Sequence, residues 1–229
     1  MSPRPVPLRD PRPPGRPPTI SADDIARAAL EVGFHALTMA TVAQRLGVKH
    51  TSLYRHVRNR DALLVAAMDL AVRSADWPSP GPAWRPYTEA VAGRVWELFA
   101  RYPGMASTIR TVSHTPPAVT DVFYRTARHL ASLGFSDADA VLVVDTLTDL
   151  AADTYTGWER MTAAQHSNLR EVWSTSQDAY APIVRTIIDS DPRDWFEAKL
   201  ALLLDGAATR FTRPRTPRTD RGGSAERRR

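Results

Sequence analysis

The side chains best suited to chemistry in this sequence lie between residues 49 and 60. This segment combines hydroxyl, imidazole, ammonium and guanidinium groups, which hydrogen-bond to DNA base edges and to phosphates. Residues 34–60 contain five basic side chains and no acidic one, whereas residues 75–211 carry 12 basic against 17 acidic side chains. A local positive field beside an acidic body predicts that this segment contacts a polyanion.

The chain around these groups has the proportions of a helix-turn-helix motif. Thr38 can cap a short helix that ends near Leu46, Gly47 supplies a left-handed turn residue, and a second helix is predicted over residues 48–57. In this motif the start of the second helix reads bases and the surrounding residues bind the backbone. The predicted base contacts are Lys49, His50, Thr51 and Ser52, and the predicted phosphate contacts are Thr38, Tyr54, Arg55, His56, Arg58 and Arg60. The alternative is an ordinary helix pair with a solvated basic side, and the lack of acidic residues in this segment counts against it.

Helix signals recur along the chain and strand signals are nearly absent, so the predicted fold class is all-α. Ser21 and Asp24 resemble a capping box that opens the first helix, and Asp194 with Glu197 resembles another ahead of the last one. In the last helix, Leu200, Leu203, Leu204 and Ala207 form an apolar stripe. Beyond the motif, helices are predicted near 85–102, 105–112, 117–133, 137–160, 167–189 with a kink at Pro182, and 194–211.

Three prolines within residues 77–82 interrupt the helical pattern and predict a domain boundary. We expect a three-helix helix-turn-helix domain over residues 21–75 and a helical ligand-binding and dimerisation domain over residues 76–211. Residues 1–20 and 212–229 are rich in arginine and poor in apolar groups, which predicts disordered basic arms.

Composition narrows the function classes further. The 229 residues include no cysteine, which excludes disulfides, thiol catalysis and cysteine-bound metals. No segment is apolar enough for a signal peptide or a membrane span, so we expect a cytoplasmic protein without membrane contact. Nucleophile, phosphate-loop and metalloprotease motifs are missing, so we expect no enzyme activity, no cofactor and no bound metal.

The second domain offers candidates for a ligand pocket. Asp145, Asp149 and Asp153 recur every four residues on one face of the predicted helix 137–160. We expect solvation or arginine pairing for this column, with a polar pocket or a cationic ligand as the alternative. Because the domain is acidic and this column is its only concentrated charge, the expected ligand is largely apolar and neutral or cationic. The aromatic residues of this domain, a group that includes Trp158 and Trp195, are mostly assigned to the core, with a few as candidates for the cavity lining. The full predicted pocket set is Trp96, Phe99, Arg110, His114, Phe123, Asp145, Asp149, Asp153 and Tyr155.

Residues 21–75 carry a series of short motifs at fixed spacing. They are Gly33 at the end of a helix, Leu37–Thr38, Val42–Ala43, Leu46–Gly47–Val48, Leu53–Tyr54, His56–Val57, Asn59–Arg60 and Leu63–Leu64. This series resembles the DNA-binding domain of the tetracycline-repressor (TetR) family, whose pattern is a helix ending in G, then LT, then IA or LA with LGV, then LY-x-H-[VF]-x-N-[KR]-x-x-LL.

The resemblance implies a homodimeric repressor that binds a palindromic double-stranded DNA operator and is released by a small-molecule effector. It implies base contacts from residues 49–52, phosphate contacts from Tyr54, His56 and Arg60, and a dimer bundle formed by helices 137–160 and 194–211. Asp76 stands where tetracycline-binding members have a drug-contacting histidine, so tetracycline–magnesium is not the expected ligand.

Two other classes of protein remain open. One is an all-α ligand carrier or enzyme in which the helix-turn-helix is incidental. The other is a non-specific DNA-binding protein that acts through its two arginine-rich arms. Sequence-specific binding to one palindrome separates both classes from a repressor, since specific complexes exceed random binding by about 10³-fold or more.

Overall fold

A computed structural model describes residues 20–211 of the chain, and the two predicted arms lie outside these residues apart from Ile20. The described residues contain helices and no strand, which confirms the all-α fold class. None of the described helices is long and apolar enough to cross a membrane. The helices are α1 Ala22–Val32, α2 Met39–Arg45, α3 His50–Leu53, α4 Arg60–Arg73, α5 Trp84–Arg101, α6 Met105–Thr108, α7 Pro117–Ser132, α8 Asp137–Glu159, α9 Ala163–Thr175, α10 Ala181–Asp189 and α11 Pro192–Phe211.

Helices α1–α4 form a unit that we call the head. The predicted capping box of Ser21 and Asp24 is present at α1. Thr38 caps α2, with the hydroxyl of Thr41 completing the reciprocal bond. Gly47 lies between α2 and α3 at a φ of 67°, the left-handed conformation expected for the turn. These local signals position α2 and α3 against α1 and α4, which pack on each other. The four helices share a set of fully buried residues: Ile25, Ala29, Val42, Leu53, Leu63, Ala67 and Met68.

Helices α5–α11 form a second unit, which we call the body. The long helix α8 is its centre and packs against α5, α6, α7 and α11. Aromatic rings join these helices: Trp96 of α5 stacks on Phe196 of α11 at 4.8 Å between centroids and meets the ring of Tyr155 at 5.1 Å. One hydrophobic core continues from the head into the body. The head and the body are therefore joined by packed side chains.

Four predicted helix boundaries are wrong. The helix predicted over 48–57 is a single turn that ends at Leu53, and the one predicted over 105–112 ends at Thr108. The long helix predicted over 167–189 is two helices, because Ser176 is extended (ψ 133°) and Pro182 suits only the first turn of a helix. The last helix begins at Pro192 rather than after Asp194, and the carboxylate of Asp191 accepts the N–H of Arg193 at 2.8 Å.

Candidate nucleic-acid interface and small-molecule cavity

The predicted base-contact residues lie together at the start of α3. His50 and Thr51 are exposed, as is Lys49 just before the helix, whereas Ser52 is half-buried. The His50 ring packs edge-on against Tyr54 at 5.1 Å between centroids, which restricts its rotation. Leu53 and Val57 are buried and hold this segment on the head. Polar side chains at the start of α3 are thus exposed while apolar ones fix the segment to the core, as a recognition helix requires.

The predicted phosphate-contact residues differ in how free their side chains are. Arg55, His56 and Arg58 are exposed, and within the described residues no hydrogen bond or ion pair engages the guanidinium of Arg55 or Arg58. Arg60 is partly committed to the fold, because its Nε donates to the backbone carbonyl of Leu37 at 2.7 Å. The hydroxyl of Thr38 is likewise bonded within the α2 cap.

One exposed basic side chain of the motif is paired with a carboxylate. Arg45 forms an ion pair with Glu31 of α1, a partner that lies just outside the acid-free segment 34–60. Four of the five basic side chains of segment 34–60 therefore have no carboxylate partner among the described residues. They are Lys49, Arg55, Arg58 and Arg60, and Arg60 also donates to the carbonyl of Leu37.

The body contains a cavity of about 900 Å³, which we call the effector cavity. It lies where the C-terminal end of α8 faces the paired helices α9 and α10 and the start of α11. Rings of Tyr155, Trp158 and Trp195 line it, together with apolar side chains of α9 and α10. A volume of this size accommodates a drug-sized molecule.

Only two residues of the predicted pocket set, Asp153 and Tyr155, line this cavity. Trp96 and Phe99 lie behind it in the core, at 5.1 and 5.8 Å between their ring centroids and that of Tyr155. Phe123 packs on the core from α7, and His114 is exposed in the segment before α7. The cavity instead includes Trp158, His166, Trp195 and Lys199. The i, i+4 spacing of Trp195 and Lys199 was a signal that could have drawn attention to this part of the cavity.

The acidic column on α8 faces solvent, and one arginine contacts two of its three carboxylates. Arg110 contacts Asp149 at 3.1 Å and Asp153 at 3.0 Å, while Asp145 is exposed one turn earlier. The column therefore matches the expected arginine pairing. Within residues 20–211, no group of three or more histidine, aspartate or glutamate side chains is arranged to hold a metal ion.

Tyr155 is a phenol of the cavity wall. Burial, with a smaller contribution from the charge of Glu159, raises the pKa of its hydroxyl above the ordinary value. The phenol is therefore protonated throughout the physiological pH range and can donate a hydrogen bond to a ligand.

Glu159 connects the cavity to the head. It lines the cavity, and its Oε1 accepts the backbone N–H of Gly104 at 2.7 Å. Gly104 has a φ of 84° at the start of α6 and lies directly under the ring of His35, a head residue between α1 and α2. His35 Nε2 is also 3.8 Å from Glu159 Oε1. A displacement of Glu159 would thus break its hydrogen bond to Gly104, the residue of the body that lies against His35 of the head.

A second pair of contacts joins α4 of the head to the body. The N–H and hydroxyl of Ser113 donate to the carboxylate of Asp61, with the hydroxyl at 2.5 Å, and His114 Nδ1 lies 2.7 Å from the same hydroxyl. Asp69 accepts the N–H of Ala118 at the first turn of α7 at 2.7 Å, where the helix dipole favours a carboxylate. Asp61 and Asp69 thus attach α4, which begins at Arg60, to the body at two points.

We predict that Gly104→Ala destabilises the protein. A left-handed conformation costs a non-glycine residue about 1–2 kcal/mol, and the added Cβ would lie 2.9 Å from the His35 ring. Urea unfolding at matched protein concentration measures this effect. In a His35→Ala background the steric part should vanish and the backbone part remain.

The matched control is Gly157→Ala in α8, where an added Cβ meets open space. This change should be neutral or stabilise the protein by about 0.4–1 kcal/mol. Equal unfolding midpoints for the Gly104→Ala variant and the unmutated chain would contradict the proposed packing of this corner.

Comparisons with known proteins agree with this architecture. Residues 23–67, most of the head, match the family described as "Bacterial regulatory proteins, tetR family". The tetracycline repressor protein class A from transposon 1721 of Escherichia coli is 31% identical over 205 residues, which cover 83% of this chain and 92% of that protein.

Solved structures show the same fold over both units. ActR from Streptomyces coelicolor, a TetR family protein solved in complex with (S)-DNPA, superimposes with a TM-score of 0.72 at 24% identity, covering 84% of this chain and 98% of that one. Its complex with actinorhodin gives a TM-score of 0.73 at 22% identity, with 86% and 100% covered. Because the likeness in sequence and fold extends through head and body, the chain belongs to the TetR family of DNA-binding transcriptional regulators.

Proposed function

We propose that this protein is a repressor that binds a palindromic operator as a homodimer and leaves it when a small molecule occupies the effector cavity. The observation that carries the proposal is the combination of an acid-free recognition surface on the head with a cavity in the body, linked through Glu159, Gly104 and His35.

The dimer is proposed to form through α8 and α11. Leu202 on α11 is 75% exposed in the single chain, and Leu142 and Val141 on α8 are 46% and 43% exposed. Exposed leucines on two neighbouring helices form an apolar surface that a second copy would cover. The α8–α11 pair from each copy would then make a four-helix bundle.

Base recognition is assigned to Lys49, His50, Thr51 and Ser52, and phosphate binding to Arg55, His56, Arg58 and Tyr54. Arg60 and Thr38 contribute mainly through the turn and cap that orient α2 and α3. A two-fold dimer presents two such surfaces, so half-sites of the operator are expected about one helical turn or slightly more apart.

Release requires that the effector favours the conformation that does not bind DNA, because equal affinity for both conformations shifts nothing. Glu159 supplies a route, since it belongs to the cavity wall and also holds the corner on which His35 rests. The ligand complexes of ActR support the presence of a small-molecule site in this fold.

Selection of binding sites from random duplex DNA tests the proposal. A repressor enriches one near-palindrome, with a preference of about 10³-fold or more over random duplex at physiological salt. Enrichment without any consensus would favour non-specific binding, and no enrichment would favour an all-α carrier or enzyme.

A further inference from the structure

Lys199 is a cation of the effector cavity that has no carboxylate partner among the described residues. The lining also includes the carboxylate of Asp153, which Arg110 contacts, and that of Glu159, which accepts the N–H of Gly104 and lies 3.8 Å from His35 Nε2. Arg170 of the lining forms an ion pair with Asp189. Lys199 is different: among the described residues no carboxylate oxygen lies within 4.0 Å of its Nζ.

The ammonium of Lys199 is positioned by weak contacts. It lies 5.4 Å from the ring centroid of Trp195 and 3.5 Å from the hydroxyl of Thr154. An ammonium has three donors, and the side chain is half-buried beside the cavity. A half-buried cation next to an indole face and open space attracts an anion, since the reduced dielectric strengthens the pairing.

The remaining wall is suited to a flat apolar body. Tyr155 and Trp158 are in edge-to-face contact at 5.6 Å, Trp195 closes the α11 side, and Ile187 and Ile188 face them from α10. Faces of this kind bind aromatic rings by stacking and by apolar burial.

We propose that the effector cavity takes a planar, largely apolar molecule that carries an anionic group, with the anion bound by Lys199. This inference adds a ligand class to the effector cavity. Only the expectation that such a ligand releases DNA rests on the proposed function. It reverses the charge expected from the aspartate column, because Arg110 contacts two of the three aspartates while no carboxylate oxygen of the described residues lies within 4.0 Å of the Lys199 ammonium.

Three probes of equal size and different charge test the proposal: 2-naphthoate, 2-naphthamide and 2-naphthylmethylammonium. Isothermal titration of the full chain without DNA should give an affinity for naphthoate at least about tenfold above that for the amide, as one charge-assisted hydrogen bond provides. The ammonium probe should bind most weakly. Strongest binding of the ammonium probe, or no binding of any probe, would overturn the proposal.

Variants assign the selectivity to one side chain. Lys199→Met should lower the naphthoate affinity about tenfold and change the amide affinity little, while Lys199→Arg should keep the preference for the anion. Arg170→Met, which removes the other lining cation of similar length, is the matched control and should leave the preference intact. The inference fails if Arg170→Met abolishes the preference or if Lys199→Met preserves it.

Operator release is measured separately, by fluorescence anisotropy of labelled operator DNA with each probe. Naphthoate that binds through Lys199 but leaves the operator occupied would contradict the regulatory part of the proposed function and leave the ligand class standing. Release of the operator by the amide or the ammonium probe alone would contradict the proposed ligand class and leave the regulatory part of the proposed function standing.

Discussion

The Leu202→Arg variant should sediment as a monomer and lose operator affinity by about two orders of magnitude or more. Leu202 is exposed in the single chain, so arginine there does not disturb the fold of one copy, but a charge would be buried without a partner in the four-helix bundle. A monomer presents one half-site at a time and forfeits the effective concentration of the second, which is worth about 10²–10⁴.

Analytical ultracentrifugation and operator titration measure the two effects in one preparation. Tyr124→Arg is the matched control: this aromatic residue of α7 is 49% exposed and lies outside both bundle helices, so its variant should remain dimeric. Leu203 is a poorer choice than Leu202 because it is half-buried against the core of its own chain. A monomeric unmutated protein, or a dimeric Leu202→Arg variant, would refute the interface.

The second large effect is expected at the recognition segment, where two substitutions should act differently. His50→Ala should relax discrimination at one base pair per half-site by about 1–3 kcal/mol, because His50 stands at the exposed start of α3. Arg58→Ala should weaken binding to every duplex and flatten the salt dependence by about one unit per half-site, since a phosphate contact carries no sequence information.

Both variants are to be titrated against the selected operator, its single-base-pair variants and random duplex at several salt concentrations. Arg58 is preferred over Arg60 because Arg60→Ala would also remove the hydrogen bond to Leu37. Equal losses for His50→Ala on operator and random DNA would contradict its assignment as a base contact.

The head could be predicted from the sequence because its signals are local. Ser21 with Asp24, the cap at Thr38 and the glycine at position 47 each act within three or four residues, and all three are present in the structure. The length of the recognition helix was overestimated, because an apolar pattern through Val57 does not reveal that the chain leaves helical geometry after Leu53.

The cavity could not be predicted in the same way because it depends on contacts between distant parts of the chain. Helical periodicity identifies which face of α8 is apolar but not which helix covers it. The pairing of α9 with α10 and the bond between Glu159 and Gly104, 55 residues apart, create the cavity and its link to the head. For the same reason the sequence predicts arginine pairing for the aspartates of α8 but not that Arg110, 39 residues from Asp149, is the arginine that pairs with them.

Different residues in and around α3 are buried and exposed. Leu53 and Val57 attach the segment to the head, while Lys49, His50 and Thr51 are exposed. Exposed positions of this kind tolerate exchange within about 0.5 kcal/mol of stability. If these three residues read the operator as proposed, a lineage carrying this fold can explore new operators by mutation at these positions without passing through unstable intermediates. Duplicated copies can then diverge in the genes they control while keeping one scaffold.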